Sequence, residues 1–398
     1  MTILRRSLLV GAALLVAGSS VARAQLPYTA IWGTGPNDVW AVGYAAALHY
    51  DGQAWREVPY GAPLAVDRAV VWGHGPNGVF VGGSDGVILH WNGQAWTRMT
   101  VPTERQIVAL AGRSATEVYA LVQSYNDREV PTLLRWNGQV WAPAPLPMPF
   151  RANGLALAGV NVLVAGFVMN DPTPNERRVY GVLARRLAAR WVMAGWNGRV
   201  VTDPVVAGAG WSTVGAAGTA VLLEGERGDG ERVLALSRGA AFTVLPAVPT
   251  TSGGRLTMAF LGADGVPVAL LGEAGLARYT GGAWVAAGPT AAAAAPMAQA
   301  AQQNPMAFAT QMAAWGSLRS PQAAWGSSSD FYAATYDRRI VRVQGAEARI
   351  VHDASCSDPQ MAGLNPVCQA IQQQPASPTQ PTPRPLPMPS VRVKPPSR

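Results

Sequence analysis

The densest group of chemically active side chains in this sequence is a set of arginines between residues 177 and 190. Arg177 and Arg178 come first, and Arg185, Arg186 and Arg190 follow closely. Neighbouring guanidinium groups bind carboxylate, phosphate or sulfate, so the group indicates a contact with an anion or a polysaccharide. A solvated basic face of a strand is the competing interpretation. We predict that four of these arginines bind the ligand, namely Arg177, Arg178, Arg185 and Arg186.

Acidic residues outside evident turns are few, namely Asp67, Glu104, Glu117 and Asp127. Glycoside hydrolysis usually requires two carboxylates about 5–10 Å apart, and nothing in the sequence pairs these four. The sequence also shows no Ser-His-Asp order, metal-ligand cluster or phosphate-binding loop. We therefore predict no catalytic residues, no metal site and no cofactor.

Two further sets of polar residues recur at equivalent positions. Asp51, Asn92 and Asn137 each precede a glycine in a hairpin slot, which favours structural turns over a calcium site. His49 and His90 occupy equivalent strand positions. We interpret them as a repeated packing position and not as a metal site, because no third ligand recurs with them.

These residues belong to a sequence repeat. The segment 32–43 reads WGTGPNDVWAVG and is followed at 48–55 by LHYDGQAW. Forty residues later the pattern returns as WGHGPNGVF at 72–80 and LHWNGQAW at 89–96. Each copy combines Gly-Pro-Asn turns, β-branched and aromatic runs and a tight hairpin signal, so it predicts four short antiparallel strands. A period near 40 with this content is typical of one propeller blade per copy.

We predict an all-β fold with a single β-propeller of seven four-stranded blades over residues 25–352. The predicted blades span 26–60, 66–101, 106–145, 152–195, 200–248, 254–288 and 321–352. The fourth and fifth copies match the repeat poorly, so a count of six or eight blades is the alternative. Polar loops are predicted at 124–131, 169–178 and 224–231, the last with four acids in a solvated hairpin.

Residues 289–320 interrupt the repeat. Their alanine, glutamine and methionine content has high helix propensity, and a flexible low-complexity linker is the alternative. We predict an insertion that leaves the ring, packs on one of its faces and forms a lid or a partner contact. Its removal is expected to leave the ring folded.

The N-terminal segment carries a signal of export. Residues 1–24 read as a secretory signal, with Arg5 and Arg6 before an apolar core and Ala22-Arg23-Ala24 at the cleavage site. We therefore predict a periplasmic or extracellular protein. Removal of this segment, with its three arginines, lowers the formal charge from +8 to +5. The remaining positive charge is too small and too widely spread along the chain to predict nucleic-acid binding. No interior run reaches the roughly 18 apolar residues of a membrane span.

The C-terminal part contains the two cysteines of the chain, Cys356 and Cys368. In an oxidising compartment we expect them to form a disulfide within a loop at 353–369; a two-cysteine redox centre is the rival. Residues 370–398 are rich in proline, glutamine and serine and are predicted to be a disordered tail.

The Trp-Gly-x-Gly-Pro-Asn-Asp-Val-Trp pattern with its Leu-His-Tyr-Asp-Gly-x-x-Trp partner resembles the repeats of secreted bacterial β-propeller proteins, which often have no assigned function. The match is close over 30–58 and 70–98 and faint between 150 and 250. The resemblance implies an extracytoplasmic propeller and brings no catalytic residues with it. We predict a non-enzymatic binding or scaffold module for a protein or glycan partner. The alternative is a glycan-active hydrolase or lyase with its site at the axial mouth of the propeller.

Overall fold

The structure is a computed structural model, and it describes residues 26–44, 46–61, 69–173, 176–187, 190–239, 241–249, 255–288, 302–357, 363 and 365–373. For residues 170–173, 176–178, 214, 273 and 307 the description covers the backbone alone. The predicted signal segment, Asp67 and the first part of the 289–320 insertion lie outside the described residues. The same holds for the predicted tail from residue 374 onwards.

The described chain forms seven antiparallel sheets, each made of four strands that are consecutive in the sequence. The predicted all-β propeller with seven four-stranded blades is therefore confirmed, and the degenerate fourth and fifth copies are complete blades. The strands of blades 1 to 4 are β1–β4 (Ala30–Gly35, Asp38–Val42, Ala46–Tyr50, Trp55–Pro59), β5–β8 (Val70–Gly73, Val79–Gly82, Ile88–Trp91, Trp96–Met99), β9–β12 (Ile107–Ser114, Glu117–Val122, Leu133–Trp136, Trp141–Pro143) and β13–β16 (Arg151–Ala158, Asn161–Thr173, Glu176–Leu187, Arg190–Gly195). The strands of blades 5 to 7 are β17–β20 (Gly210–Ala217, Ala220–Glu226, Arg232–Ser237, Thr243–Val244), β21–β24 (Met258–Leu261, Pro267–Leu270, Leu276–Thr280, Ala283–Ala287) and β25–β28 (Pro321–Gly326, Asp330–Thr335, Arg339–Gln344, Glu347–Asp353).

The first strand of each blade lies innermost. Strands β1, β5, β9, β13, β17, β21 and β25 contact one another in turn, and β25 contacts β1. Successive side chains of a strand point to opposite faces of its sheet, so each blade buries one set of apolar residues against each neighbour. Each of the seven gaps between blades accordingly holds its own apolar cluster. Stacking around the ring thus buries faces that one blade alone leaves in water.

The Trp-Gly pairs of the repeat lock neighbouring blades together near the axis. The indole of Trp325 lies against Gly33, that of Trp32 against Gly73, and that of Trp72 against Gly112. In each case a β-carbon on the glycine would lie within 3 Å of the ring. The glycine of one blade therefore makes room for the tryptophan of the blade before it.

The two flat faces of the ring differ in their connections. The turn face carries the short turns between the first and second and between the third and fourth strands, such as 36–37 and 51–54. The loop face carries the connections between the second and third strands and from blade to blade, including the predicted loop at 124–131.

Two predicted loops are corrected by the structure. Residues 169–173 and 176–178 extend β14 and β15 as a paired hairpin, with Met169 opposite Val179 and Thr173 opposite Glu176. Pairing along the ladder therefore continues beyond the blade, although residues 170–173 and 176–178 are mostly polar. In blade 5, Glu224 is not a loop residue: it is buried in β18 and forms an ion pair with Arg232.

The helices of the described chain are α1 (Pro204–Ala207), α2 (Pro305–Ser317) and α3 (Pro366–Gln372). Helix α2 confirms the helical interpretation of the second half of the 289–320 insertion. The prediction that this half leaves the ring is wrong, because Ala314, Trp315 and Leu318 are fully buried in the cluster between blades 6 and 7. This half of the insertion is part of the core between blades 6 and 7.

A disulfide joins Cys356 to Cys368, as predicted. It connects the short 3₁₀ helix that follows β28 to α3, and Val367 and Ile371 of α3 pack against the same cluster as α2. Residues 370–372 are therefore helical, which corrects the start of the predicted tail. No helix in the described part of the chain is long and apolar enough to cross a membrane.

Candidate functional site

The recurring turn residues have a structural role. The side-chain oxygen of Asp51, Asn92 or Asn137 accepts hydrogen bonds from the backbone N–H groups two and three residues further on, each at 2.9 Å. The glycine that follows each one has φ between 90° and 98°, a region that other residues rarely adopt. These contacts confirm the interpretation of these residues as hairpin turns.

The two histidines occupy a repeated packing position, as predicted. His49 lies opposite Trp40 on the neighbouring strand and stacks on its ring at 4.1 Å. His90 lies opposite Phe80, with ring centroids 4.5 Å apart, and burial lowers the pKa of His90. Within the described chain, no group of three or more His, Cys, Asp or Glu side chains is arranged to hold a metal ion.

The same repeat position carries arginine in two other blades. Arg135 lies opposite Tyr119 in blade 3, and Arg342 lies opposite Tyr332 in blade 7. The guanidinium of Arg342 sits 5.1 Å from the centre of the Tyr332 ring. An aromatic residue on the second strand and a cationic or titratable residue on the third strand are therefore a recurring pair on the turn face.

An acid at the head of the second strand binds the third-strand residue in two blades. Asp38 bonds to His49 at 2.8 Å in blade 1. In blade 7, both carboxylate oxygens of Asp330 accept hydrogen bonds from Arg342, at 2.9 and 2.8 Å. Such bidentate pairs cancel the local charge and fix the side chains.

Blade 3 breaks this rule. Its acid, Glu117, forms an ion pair with Arg113 of the innermost strand. Arg113 also donates from Nε to the carbonyl oxygen of Gly159 in blade 4, at 3.1 Å. Glu117 therefore does not reach Arg135, and among the described residues Arg135 has neither an ion pair nor a hydrogen bond.

Blade 4 has no acid at the equivalent place. Asn161 stands at the head of β14, and Arg186 lies near the end of β15 at the turn face. Val182 and Ala184, which precede Arg186 at alternate positions, pack towards blade 3. Because side chains alternate along a strand, Arg186 also points towards blade 3, and Arg185 points towards blade 5.

These departures leave an excess of positive charge in the gap between blades 3 and 4. Leu133 of β11 packs in this gap, so Arg135, two residues later, points to the same gap as Arg186. We call the turn-face end of the gap the arginine cleft; its residues are Arg113, Glu117, Tyr119, Arg135 and Arg186. Glu117 is the acid that offsets these three arginines, so the cleft carries a net charge of about +2 at neutral pH.

Tyr119 is almost fully buried and contacts two of the other residues of the arginine cleft. Its hydroxyl donates to Oε1 of Glu117 at 3.1 Å and accepts from Nη1 of Arg186 at 3.4 Å. Burial and then the Glu117 carboxylate raise the pKa of the phenol, against the opposing influence of Arg135 and Arg186. The phenol therefore stays protonated near neutral pH and is held as a fixed polar group.

The four arginines predicted from the sequence do not form one site. Arg178 and Arg185 are seven residues apart on β15, so their backbones are separated by roughly 23 Å along the strand. Arg177 and Arg178 lie on the projecting hairpin of the loop face, and Arg185 and Arg186 lie at the turn face. Ligand binding by these residues stays a prediction, now divided between two places.

Sequence reasoning missed Arg113, Tyr119 and Arg135. The available signal was the repeat itself, since Leu134-Arg135-Trp136 aligns with Leu48-His49-Tyr50. Tyr119 likewise aligns with Trp40.

The described candidate acids are not paired with each other. Glu117 is bonded as above, and Asp127 accepts the backbone N–H of Met169 from the projecting hairpin. Glu104 is exposed on the connection into blade 3. The acid–histidine pair that does occur, Asp38 with His49, belongs to the packing position on the turn face and not to the innermost strands.

Comparison with known proteins gives fold-level similarity alone. No family model matches the sequence, and no curated protein does so either. Among solved structures, the chain is similar to YCF48 from Cyanidioschyzon merolae (12% identity, TM-score 0.46, 80% of this chain and 96% of that one) and to YCF48 bound to D1 peptide (11%, 0.48, 80% and 94%). It is also similar to the six-bladed fucose-recognising lectin of Aleuria aurantia (12%, 0.40, 66% and 95%). At these identities the ligands of those proteins carry no weight for this chain.

Proposed function

We propose that this protein is an exported, non-enzymatic binding module that captures an anionic partner in the arginine cleft. The observation that carries the proposal is that Arg135 and Arg186 point into one gap from neighbouring blades, while Glu117, the acid of this gap, is paired with Arg113. Two like charges in one cleft repel each other, and a bound anion relieves that repulsion. Guanidinium forks match the geometry of carboxylate, phosphate and sulfate groups.

The chemistry of the cleft favours binding over catalysis. A hydrolase requires a second carboxylate that is free to act, and Glu117 is already engaged by Arg113 and Tyr119. A lyase requires a base, and the raised pKa of Tyr119 works against that role. We therefore keep the non-enzymatic function as the proposal.

Export rests on independent observations. The sequence begins with a secretory signal pattern, and the Cys356–Cys368 disulfide suits an oxidising compartment. An extracytoplasmic propeller with a basic cleft is suited to capture polyanions of the cell envelope or the surroundings.

The test measures binding of the mature chain to a panel of polymers: polygalacturonate, dextran sulfate, duplex DNA and neutral dextran. We expect at least one anionic polymer to bind and neutral dextran not to bind. The double substitution Arg135→Gln with Arg186→Gln should weaken that binding by about tenfold or more, since charge-assisted hydrogen bonds are lost. Arg98→Gln is the matched control, because Arg98 is an exposed arginine of blade 2 with no described partner.

Two results would contradict the proposal. One is that no anionic polymer binds. The other is that the double variant binds as tightly as the parent protein, which would place the contact elsewhere.

A further inference from the structure

The turn face of blade 2 carries two histidines that the proposed function does not use. Of the four histidines in the chain, His49 bonds to a carboxylate and His352 to a tyrosine hydroxyl. His74 and His90 have no hydrogen-bond partner among the described residues. We propose that His74 and His90 together bind one divalent transition-metal ion, Cu²⁺, Ni²⁺ or Zn²⁺, through one imidazole nitrogen each. This site is separate from the arginine cleft.

Blade 1 shows what the repeat places at this position when an acid is present. The carboxylate of Asp38 accepts a hydrogen bond from the hydroxyl of Thr34. Its other oxygen lies 2.8 Å from Nε2 of His49. The carboxylate therefore lies between a side chain of the first turn and a side chain of the third strand. The equivalent residues of blade 2 are His74, Gly78 and His90.

The missing acid of blade 2 is replaced by an imidazole. A β-carbon on Gly78 would lie 2.1 Å from Nε2 and 2.2 Å from Cε1 of His74. These are atoms of the ring itself, so the His74 ring occupies the space next to Gly78 that the Asp38 carboxylate fills in blade 1. The longer histidine side chain reaches this space from the turn position that holds a threonine in blade 1.

His90 keeps the place of its equivalent in blade 1. Its ring centroid lies 4.5 Å from that of Phe80 on the neighbouring strand, as His49 stacks at 4.1 Å on Trp40. The ring of His74 also lies beside Phe80, with centroids 6.5 Å apart. Burial and then the charge of His74 lower the pKa of His90, which agrees with two neighbouring imidazoles. Blade 2 thus presents two imidazoles where blade 1 has a carboxylate and an imidazole.

This arrangement suits a metal ion. Imidazole nitrogens bind zinc, copper and nickel, and at neutral pH an ordinary histidine is mostly uncharged and offers a nitrogen lone pair. Zn–N bonds are about 2.0–2.1 Å long, so two nitrogens on one tetrahedral ion lie about 3.3 Å apart. The corresponding pair of atoms in blade 1 is separated by 2.8 Å. A small rotation of the exposed His74 side chain therefore brings the two nitrogens to a bonding separation.

The site is open to solvent. His74 is exposed and His90 is partly exposed, so a hydrated ion can reach both rings. Two protein ligands leave further coordination positions for water or for a donor atom of a bound molecule. Among divalent ions of the first transition row, Cu²⁺ forms the most stable complexes with nitrogen ligands. We therefore expect the affinity to decrease from Cu²⁺ to Ni²⁺ and Zn²⁺.

The experiment titrates the untagged, chelator-treated mature chain with CuCl₂, NiCl₂ and ZnCl₂ in a calorimeter at neutral pH. We expect one Cu²⁺ ion per chain, with two imidazole nitrogens detected by electron paramagnetic resonance. His74→Ala and His90→Gln should each weaken Cu²⁺ binding about tenfold or more. His49→Gln is the matched control and should leave the affinity unchanged, because His49 is already bonded to Asp38.

A second variant rebuilds the arrangement of blade 1 in blade 2. His74→Thr with Gly78→Asp places a carboxylate beside His90, and Gly78 does not have a positive φ, so its backbone suits aspartate. This variant should keep the thermal unfolding midpoint of the parent protein within a few degrees and lose the signal of two imidazole nitrogens. Two results would overturn the proposal: no stoichiometric binding of any of the three ions, or binding that neither His74→Ala nor His90→Gln weakens.

Discussion

The six-membered ring of the Trp32 indole lies so close to the backbone of Gly73 that a β-carbon on the glycine would be 2.6 Å from two ring carbons. Blades 1 and 2 therefore approach each other as closely as a glycine permits. We expect Gly73→Ala to force the indole aside and to lower the free energy of unfolding by about 1–3 kcal/mol, the usual cost of overpacking. Urea unfolding monitored by tryptophan fluorescence measures the effect.

Gly75→Ala is the control for this prediction. Gly75 lies two residues further on, has no heavy atom within 4 Å of the position of its missing β-carbon and does not have a positive φ. Its substitution should change stability by a few tenths of a kcal/mol at most. If both substitutions changed the stability equally, the contact with Trp32 would not be the reason that position 73 requires glycine.

The seam between the first and seventh blades should weaken in acid. Tyr28 Oη lies 3.3 Å from Nε2 of His352, and Tyr332 donates to the carbonyl oxygen of Pro36 at 2.8 Å. Burial lowers the pKa of His352 to about 4, although Asp353 raises it, and Arg338 lowers it further. Because the folded-state pKa lies below the unfolded value of 6.5, the unfolded chain binds more protons between these two values. The stabilisation is complete above pH 6.5 and is lost as the pH falls towards 4, by about 3 kcal/mol at most.

The variant His352→Gln tests this prediction. Its unfolding midpoint should depend less on pH between 6.5 and 4 than that of the parent protein, because the titrating group is gone. Thermal unfolding at half-unit pH steps measures both curves. Parallel curves over this window would assign the acid sensitivity to another group.

Helix α2 should behave as a part of the propeller core. Trp315 has no exposed surface, whereas Met306 at the start of the same helix is 58% exposed. Trp315→Ala should destabilise the protein by about 3–5 kcal/mol through cavity formation, and Met306→Ala should have a small effect. Calorimetric unfolding of both variants provides the comparison. If Trp315→Ala lowered the stability only slightly, the packing of blades 6 and 7 would not depend on the helix.

The disulfide should stabilise the end of the chain. It joins residues 12 apart in sequence, so the chain-entropy model gives about 3 kcal/mol for closing the loop. The double substitution Cys356→Ser with Cys368→Ser should lower the unfolding free energy by an amount of this order. In the parent protein, reducing agent should have the same effect, and it should have no effect in the double variant. A parent protein that is indifferent to reduction would show that α3 is held by packing alone.

The sequence by itself determined the repeat and therefore the propeller. Turn residues such as Asp51 and Asn92 act through hydrogen bonds to N–H groups two and three residues away, so their role is readable locally. The tryptophan and glycine of each copy likewise recur at fixed spacing, and their recurrence indicates stacked blades. The disulfide could also be predicted from the sequence, because the chain has a single pair of cysteines.

Tertiary structure alone decided which charges remain unpaired. Arg113 and Arg135 are equally basic in the sequence, but Glu117 pairs with the first, and the second has no ion pair with any described residue. Arg135 and Arg186 are 51 residues apart and point into one gap because the face of blade 3 that carries Arg135 packs against the face of blade 4 that carries Arg186. The four arginines that looked like one group are divided by the length of β15, since a strand advances about 3.3 Å per residue. Local spacing reports which side chains are available, and the packing of blades determines which of them share a site.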